Sequence, residues 1–338
     1  MRFRISRSAA LFALIGLASM AHADIVVLKN GDRITGEIQE IWDNDVIIEP
    51  AYDDDVKVTI SLDDIEYLDS DRKFEVTLKD GREVVAELVG RGPEGKQRIA
   101  IDGKITLINL SQLEELDKIE DYFDWESHID FNFSIDKGNT DALNTRFFTD
   151  TKLKLGDHRH IVTLTLSREE QNRITTKDQT LLQYNYNWLF NDPWFFGIAA
   201  SYERDPIRNL DHRIILGATA GRDLWNKPRL FLNVQAGLGY LSEKDTGNDD
   251  NESMAVIWAL RYRQDFFASD LELHHDDSIN AYVTGRANTV FKTVTGLRYE
   301  ITDLLYFNTD LIFDYETEPL DGAENEDLSF VVGLGVEF

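Results

Sequence analysis

The sequence predicts an all-β protein that consists of a signal peptide, two small SH3/Sm-like β-units and a roughly 12-stranded antiparallel transmembrane β-barrel. Three observations lead to this fold class. The chain opens with a short basic and apolar leader, and two similar segments follow it. From Trp125 to Phe338, apolar and polar residues then alternate along one segment after another. The predicted domains are 1–23, 24–121 (divided into 24–70 and 74–121) and 122–338.

The leader has the three parts of a secretory signal peptide. Arg2, Arg4 and Arg7 form a positive start, residues 11–20 are apolar, and Ala21-His22-Ala23 is a small-x-small cleavage pattern. An uncleaved membrane anchor is the less favoured alternative, because the apolar run is shorter than the roughly 20 residues that a spanning helix needs. The sequence therefore predicts export.

Composition and charge exclude several classes of protein. The 338 residues include no cysteine, which excludes disulfides and thiolate metal sites. The 19 Phe, 12 Tyr and 6 Trp suit a β-rich chain. The 62 acidic and 35 basic residues give a net charge of −27, which excludes a general nucleic-acid binder because phosphate binding needs clustered basic residues. Nothing after the leader resembles a transmembrane helix, so a membrane-embedded mature protein would have to be a closed barrel.

Two similar segments lie between the leader and the alternating region. Their aligned stretches are residues 26–33 with 76–83, and 61–69 with 109–117. Each copy contains short apolar runs that are broken at a pair of turn residues, Asn30-Gly31 or Asp80-Gly81. These pairs predict hairpins with type I′ turns, in which both central residues need positive φ. Short strands in units of this length predict the two SH3- or Sm-like β-units.

Related folds often bind RNA, but acidic residues outnumber basic ones about twofold between residues 24 and 121, which repels phosphate. We therefore expect a spacer, a cap on the barrel or a docking module for a periplasmic partner that the sequence does not identify. The run Asp53-Asp54-Asp55 could attract cations, although a solvated acidic turn is the favoured interpretation.

The region from Trp125 onward alternates with the period of two that a β-strand imposes. In its first segment Ile129, Phe131 and Phe133 alternate with Asp130 and Asn132. Nine further segments repeat the pattern, and two weaker ones at 162–166 and 271–273 bring the expected strand count to twelve. One face is apolar and is predicted to carry no charge in its central band, whereas the opposite face carries both signs of charge.

A soluble barrel could show the same alternation with its apolar face turned inward, so three further features decide between the two interpretations. Short connections are predicted to alternate with longer polar ones, as in outer-membrane barrels. The longer connections are expected at 137–142, 169–179, 204–212, 243–253, 275–289 and 316–327. Aromatic residues such as Trp188, Trp194 and Phe266 lie beside the short turns and resemble an interfacial girdle. An even strand count returns the chain to the side where it began.

The last strand ends on Phe338, with apolar residues at alternate positions before it. This ending is similar to the C-terminal signal that the outer-membrane assembly machinery recognises. The expected location is therefore the outer membrane of a Gram-negative cell, with the N-terminal module in the periplasm. The expected partners are outer-membrane lipid and the assembly machinery.

Several residues of the barrel region match a known family. They are Gly138-Asn139-Thr140, Tyr202-Glu203-Arg204-Asp205, Arg213, Leu216-Gly217-Ala218, Gly221 and the stretch from Leu232 to Tyr240. Over roughly Trp125 to Phe338 the chain resembles the outer-membrane family catalogued as domain of unknown function 481, which includes proteins described as salt-stress-induced. The resemblance implies a location and a barrel topology, and it supplies no catalytic residues.

Charged residues on the polar face are the candidate lining of the lumen. They are Arg146, Asp150, Glu203, Arg213, Arg261, Arg263, Lys292, Arg298, Asp310 and Asp314. Arg222 is expected to face inward with them. Such a set either lines a narrow pore or forms a salt-bridge network that fills the lumen. A barrel of eight strands is filled and one of sixteen is open, so twelve strands leave both alternatives.

Two histidine-containing segments are candidate sites of chemistry. His274-His275-Asp276-Asp277 and Asp211-His212 are expected at outer strand ends or loops, where a His–Asp pair could activate water or hold a metal. Neighbouring residues on a strand point to opposite faces, so His274 and His275 cannot share a site. No serine lies in a nucleophile-elbow motif either. We therefore expect no catalytic residues, no cofactor and no dedicated metal site.

Carboxylates also crowd the expected outer loops, among them Glu243, Asp249, Glu316 and Glu324. They could bind divalent cations loosely, although ordinary solvated loops are favoured. The predicted function is a structural or adaptive role in the envelope response to salt, without enzymatic activity. The alternative is a narrow cation-preferring channel for small solutes, and a hydrolase at the barrel rim is less favoured.

Overall fold

The structure is a computed structural model of the chain. It describes residues 23–52, 56–119, 123–136, 142–227, 229–245, 250–267, 270–285, 287–302, 304–320 and 323–338. The predicted signal peptide apart from Ala23, the acidic run 53–55 and the segment 138–140 lie outside these residues. The chain divides into two compact units, Met1–Lys118 and Ile119–Phe338. Among the described residues, no helix is long and apolar enough to cross a bilayer.

The described part of the N-terminal unit forms one sheet. Its strands are β1 (Asp24–Leu28), β2 (Arg33–Trp42), β3 (Asp45–Pro50), β4 (Val58–Ser61), β5 (Ile65–Leu78), β6 (Glu83–Arg91), β7 (Gln97–Ile101), β8 (Lys104–Ile108) and β9 (Leu113–Lys118). They follow the order β4-β3-β2-β1-β5-β6-β7-β8, and β9 pairs with both β2 and β5.

The two copies of the repeat fold in the same way. β1 pairs with β2 and with β5, and the second half of β5 pairs correspondingly with β6 and β9. A 3-10 turn precedes the last strand of each copy, at Leu62–Asp64 and at Leu110–Gln112. The duplication in the sequence is therefore also a duplication of structure, while its SH3/Sm likeness stays a prediction.

The two copies share one core. β5 runs without a break from the first copy into the second, and β9 reaches back to pair with β2 at Glu40 and Ile41. Apolar side chains of both copies, among them Val26, Phe74 and Leu116, form a single buried cluster. Because each copy covers the apolar face of the other, the segment behaves as one small domain.

The predicted type I′ turns are wrong. Gly31 and Gly81 have positive φ (94° and 81°), but Asn30 and Asp80 do not. The amide of Gly31 donates to the carbonyl of Leu28 (2.9 Å), so that only the glycine takes the left-handed conformation. Asn-Gly and Asp-Gly pairs fit more than one turn type, and the length of the connection decides between them.

Asp117 gives the N-terminal unit a predicted pH dependence. Burial is the main cause that raises the pKa of its carboxyl to about 6. The carboxylates of Glu40 and Glu75 contribute to the increase, and a hydrogen bond from the Lys118 amide opposes it. Because the folded unit binds this proton more tightly than the unfolded chain, this group destabilises the fold above pH 6, and the loss disappears as the pH falls toward 4. Asp117→Asn is therefore expected to stabilise the unit at pH 7.5 by roughly 1 kcal/mol.

That figure lies below the about 3 kcal/mol of a fully buried group, because solvent screens this half-buried carboxyl. Hydrogen exchange of residues 113–118 in the full chain, measured at pH 7.5 and pH 4.5, checks the prediction. Asp80→Asn is the matched control, since Asp80 is exposed at a turn. Equal protection of β9 in the Asp117→Asn variant and the unmodified protein at pH 7.5 would contradict it.

The second unit is a closed barrel whose twelve strands pair antiparallel in sequence order. They are β10 (Phe123–Asp136), β11 (Ala142–Leu155), β12 (His158–Gln171), β13 (Ile174–Asn191), β14 (Trp194–Asp205), β15 (Leu210–Lys227), β16 (Leu230–Asp245), β17 (Asp250–Phe266), β18 (Leu271–Tyr282), β19 (Thr289–Thr302), β20 (Leu305–Glu316) and β21 (Glu326–Glu337). β21 pairs with β10 and closes the ring. The predicted strand count and antiparallel barrel are confirmed.

The connections differ less in length than predicted. A longer loop was expected at 169–179, but β12 ends at Gln171, β13 begins at Ile174, and the two residues between them both have positive φ. A longer connection was also expected at 204–212, but β14 ends at Asp205 and β15 begins at Leu210, and a 3-10 turn at Pro206–Arg208 forms most of the connection between them. Polar residues that resemble a loop in the sequence instead extend the strands, because their side chains alternate between the lumen and the exterior. We call the end of the barrel with these connections the loop end, and the other the turn end.

Candidate functional site

The barrel wall is apolar outside and polar inside. Large apolar side chains that point outward are exposed, for example Phe131 (59%), Leu238 (59%) and Phe330 (63%). The residues beside them in sequence point inward and are buried, for example Asn132 and Asp130. A soluble barrel has the opposite arrangement, so this wall matches a bilayer on its outside and polar groups on its inside.

At the loop end of the lumen, one arginine joins three carboxylates. Arg213 on β15 contacts Glu316 on β20 (2.6 Å), Glu243 on β16 (2.6 Å) and Glu203 on β14 (3.4 Å). Glu203 also accepts a hydrogen bond from Lys292 on β19 (2.6 Å). β15 and β20 lie on nearly opposite sides of the closed strand order, as do β14 and β19. These contacts therefore cross the lumen.

A second set of contacts crosses the middle of the lumen. Arg261 on β17 donates to Asp150 on β11 (2.8 Å), and these two strands are diametrically opposed in the strand order. Asp276 on β18 holds the Arg261 side chain in place (3.1 Å) and also accepts from Arg263 (2.8 Å). The guanidinium of Arg261 is thus fixed between two carboxylates from opposite walls.

Beside this pair, Asp310 on β20 accepts hydrogen bonds from Arg146 (3.0 Å) and from the ring of His274 (3.0 Å). Gly296 on β19 lies against both Asp310 and His274, where any larger residue would displace the imidazole. Toward the turn end, Arg298 pairs with Glu272 (2.7 Å). Opposite charges therefore pair at the loop end, in the middle and toward the turn end of the lumen.

Two charged residues near the turn end were missed by the sequence analysis. Arg159 on β12 makes two hydrogen bonds to Asp223 on β15 (3.0 and 3.1 Å) and contacts the rings of Phe195 and Phe231. Arg159 stands beside the short turn at 156–157, and this position resembled a turn residue rather than a lumen residue. The alternation of Arg159 with His158 and His160 is the signal that could have placed it inside.

The structure places all ten predicted lining residues on the inner face of the wall, and their role stays a prediction. Arg222 was expected to face inward, but its guanidinium lies over the ring of Trp194, which is exposed on the outer face. Glu243 and Glu316 were assigned to outer loops, yet both are buried in the lumen (1% and 4% exposed). They belong to strands that continue past the expected ends, so the phase of the alternation carries them inside.

Around the Arg261–Asp150 contact lies a cavity of about 180 Å³, and Arg213, Glu203, Glu243 and Glu316 are not part of its lining. One side is lined by neutral amides of β13 and β16, namely Gln183, Asn185, Asn187, Asn233 and Gln235. Charged groups of other strands also line the cavity, among them Arg146, Lys292, Asp310 and Asp314. The lumen is therefore partly filled, with room for small polar solutes or water around the Arg261–Asp150 contact.

The His274–Asp277 segment does not lie at an outer strand end as expected, because β18 continues to Tyr282. His274 and Asp276 face the lumen, while His275 and Asp277 face outward. In the described part of the chain, no group of three His, Asp or Glu side chains is arranged to hold a metal ion. The other candidate pair, Asp211 and His212, is separated by 3.4 Å at the loop end of β15.

His275 and Asp277 interrupt the apolar exterior. The His275 ring hydrogen-bonds to the Asp277 carboxylate through Nε2 (3.1 Å) and to the Thr295 hydroxyl through Nδ1 (2.7 Å). Thr293 is the partner of Asp277 in the ladder between β18 and β19. We call His275, Asp277, Thr293 and Thr295 the outer polar patch. The prediction that the outer band carries no charge is wrong at this place.

The barrel region of this chain matches the model of a known protein family. The model of the family described as "Protein of unknown function, DUF481" matches residues 129–338. No curated protein matches the sequence significantly. Among solved structures, the NanC porin is 12% identical with a TM-score of 0.40 and covers 63% of this chain and 99% of its own. The translocator domain of autotransporter NalP from Neisseria meningitidis is 14% identical with a TM-score of 0.36, over 63% of this chain and 86% of its own.

Proposed function

We propose that this chain, which belongs to the DUF481 family, is an outer-membrane β-barrel that is closed at rest and has a structural or adaptive role in the envelope response to salt. The proposed location is the outer membrane of a Gram-negative cell, with the N-terminal unit in the periplasm. The observation that carries the proposal is the pair of crossing contacts, Arg213–Glu316 and Arg261–Asp150, which join opposite walls. No enzymatic role is proposed.

The crossing contacts support a closed lumen for an electrostatic reason. Ions that enter a pore need to exchange their hydration for groups that are free to coordinate them. Here the charged groups on both walls already pair with each other. The contacts of Arg213 are buried, and the Arg261–Asp150 contact is partly buried. Buried pairs are screened by salt much less than exposed ones. A wall of this kind is expected to stay closed to ions when the external salt concentration rises.

Single-channel recording tests the proposal. The refolded mature protein, inserted in a planar bilayer, is expected to give no discrete current steps at low or high salt. A heat-dependent shift in gel mobility, recorded on the same preparation, shows that the silent protein is folded. Discrete steps with cation preference in the unmodified protein would overturn the closed-barrel proposal.

A narrow cation-preferring channel is the second candidate function. It is favoured by the cavity of about 180 Å³, which surrounds the Arg261–Asp150 contact and includes neutral amides in its lining. A channel would need the Arg213 and Arg261 contacts to part on a functional signal such as voltage. Recording under a salt gradient measures the reversal potential and so distinguishes cation preference from an unselective leak.

A further inference from the structure

We propose that the outer polar patch is the contact surface through which two copies of this chain associate side by side in the membrane. The patch consists of His275, Asp277, Thr293 and Thr295 on the outward face of β18 and β19. The inference goes beyond the proposed function and does not depend on whether the lumen conducts.

The patch lies within the apolar band of the outer face. Apolar residues flank it on the loop-end side, where Ile279 pairs with Phe291, and on the turn-end side, where Leu273 pairs with Leu297. Titratable side chains elsewhere on the outer face, such as His158 and Arg222, lie near strand ends. A carboxylate and an imidazole within the band are unfavourable against lipid tails, which offer no hydrogen bonds.

Polar atoms in and beside the patch have no hydrogen-bond partner. Within the described part of the chain, Asp277 Oδ1 and Thr293 Oγ1 have no hydrogen-bond partner, and neither has Thr309 Oγ1 on the neighbouring strand β20. Threonine hydroxyls can be redirected by rotation about χ1. These atoms are themselves buried in the wall, so a neighbouring surface reaches them only after the side chains rotate outward, and lipid tails offer them no hydrogen bond in either position.

The chemistry of the patch identifies a second copy of the chain as the partner. A two-fold interface brings the same surface of both subunits together, so it requires a patch that is complementary to itself. The outer polar patch meets this requirement, because the Asp277 carboxylate accepts, the threonine hydroxyls donate, and the His275 ring does either. The threonines are also small, which lets two walls approach closely as small residues do between membrane helices. A second copy is the simplest surface with the matching groups.

Cysteine cross-linking tests the inference directly, because the sequence contains no cysteine. Thr295→Cys places one thiol on the exposed part of the patch, and Leu182→Cys places one on β13, diametrically opposite in the strand order. Both variants are made in the full chain and oxidised in native membranes. We expect a disulfide-linked dimer from Thr295→Cys and only collisional background from Leu182→Cys.

A second variant keeps the test decisive. His275→Leu together with Asp277→Leu replaces the polar centre by apolar side chains that suit a lipid-facing wall, so the barrel is expected to fold. Adding these changes to Thr295→Cys is expected to abolish the cross-linked dimer while the heat-dependent gel shift remains. Cross-linking of Thr295→Cys to a different protein, no cross-linking at all, or undiminished dimer in the leucine variant would each overturn the proposal.

Discussion

Replacing Arg213 with methionine is expected to lower the free energy of unfolding of the barrel by about 3–5 kcal/mol, because the change leaves buried charge without its partner. Arg213 is the shared partner of Glu203, Glu243 and Glu316, all of which are almost completely buried. Methionine preserves much of the side-chain volume, so the loss reports the uncompensated carboxylates rather than a cavity.

Denaturant unfolding in lipid vesicles, followed by tryptophan fluorescence, measures the effect. The matched control is Arg168→Met, which breaks an ion pair of similar length with Glu170 (2.8 Å). Because Arg168 is 57% exposed, we expect the control to change stability by less than about 1 kcal/mol. A loss in Arg213→Met no larger than in the control would mean that water or protons neutralise the three carboxylates, and that Arg213 does not hold the lumen together.

Removing the crossing contacts at both levels of the lumen is expected to convert the silent barrel into a conducting one. At the loop end the variant combines Arg213→Ser and Glu316→Ser with Lys292→Ser and Glu203→Ser, because Lys292 and Glu203 also join nearly opposite strands. In the middle it carries Arg261→Ser and Asp150→Ser. Each pair is removed whole, so the net charge does not change, but Glu243 loses its contact with Arg213. A heat-dependent shift in gel mobility is therefore recorded to show that the variant folds. Current steps are expected because the two sets of side chains that join opposite walls are truncated to a hydroxymethyl group.

Planar-bilayer recording compares this variant with one that carries only Arg261→Ser and Asp150→Ser. The partial variant is expected to remain silent, because the Arg213 network still spans the loop end. If the partial variant conducts, the loop-end network is not a barrier. If the complete variant folds but stays silent, some other part of the lumen closes the barrel, and the ion pairs serve stability alone.

The sequence predicts the wall of the barrel better than its ends. Alternation along a strand has only two phases, so residues such as Phe131 and Asp130 are assigned to opposite faces from the pattern alone. The pattern does not show where a strand ends, because inward polar residues at the loop end resemble those of a loop. Glu243 and Glu316 were misassigned for this reason. Which residues meet across the lumen depends on the closed strand order, and no local pattern carries that information.

Arg222 and the outer polar patch show a different limit. Arg222 alternates as an outward residue, but its charge led to an inward assignment, and the aromatic face of Trp194 that accommodates it comes from the neighbouring strand β14. His275 and Asp277 also face outward by phase alone. In both places the phase was the better guide, and residue type misled because it assumes that every charge avoids the lipid side.

The pairing of β10 with β21 has a consequence for the order in which the barrel forms. This ladder joins the first strand to the last, and its register covers only residues 128–133 against 332–337, with one further backbone pair between Ser127 and Phe338 (3.0 Å in each direction). Every other ladder in the ring joins consecutive strands, which can pair locally as hairpins. The terminal ladder carries the largest chain-closure entropy and the fewest hydrogen bonds, so we expect it to form last and to open first. The last intermediate in folding is then a curved, open sheet with Phe338 at its free edge. The barrel closes when the strand that ends at Phe338 pairs with β10.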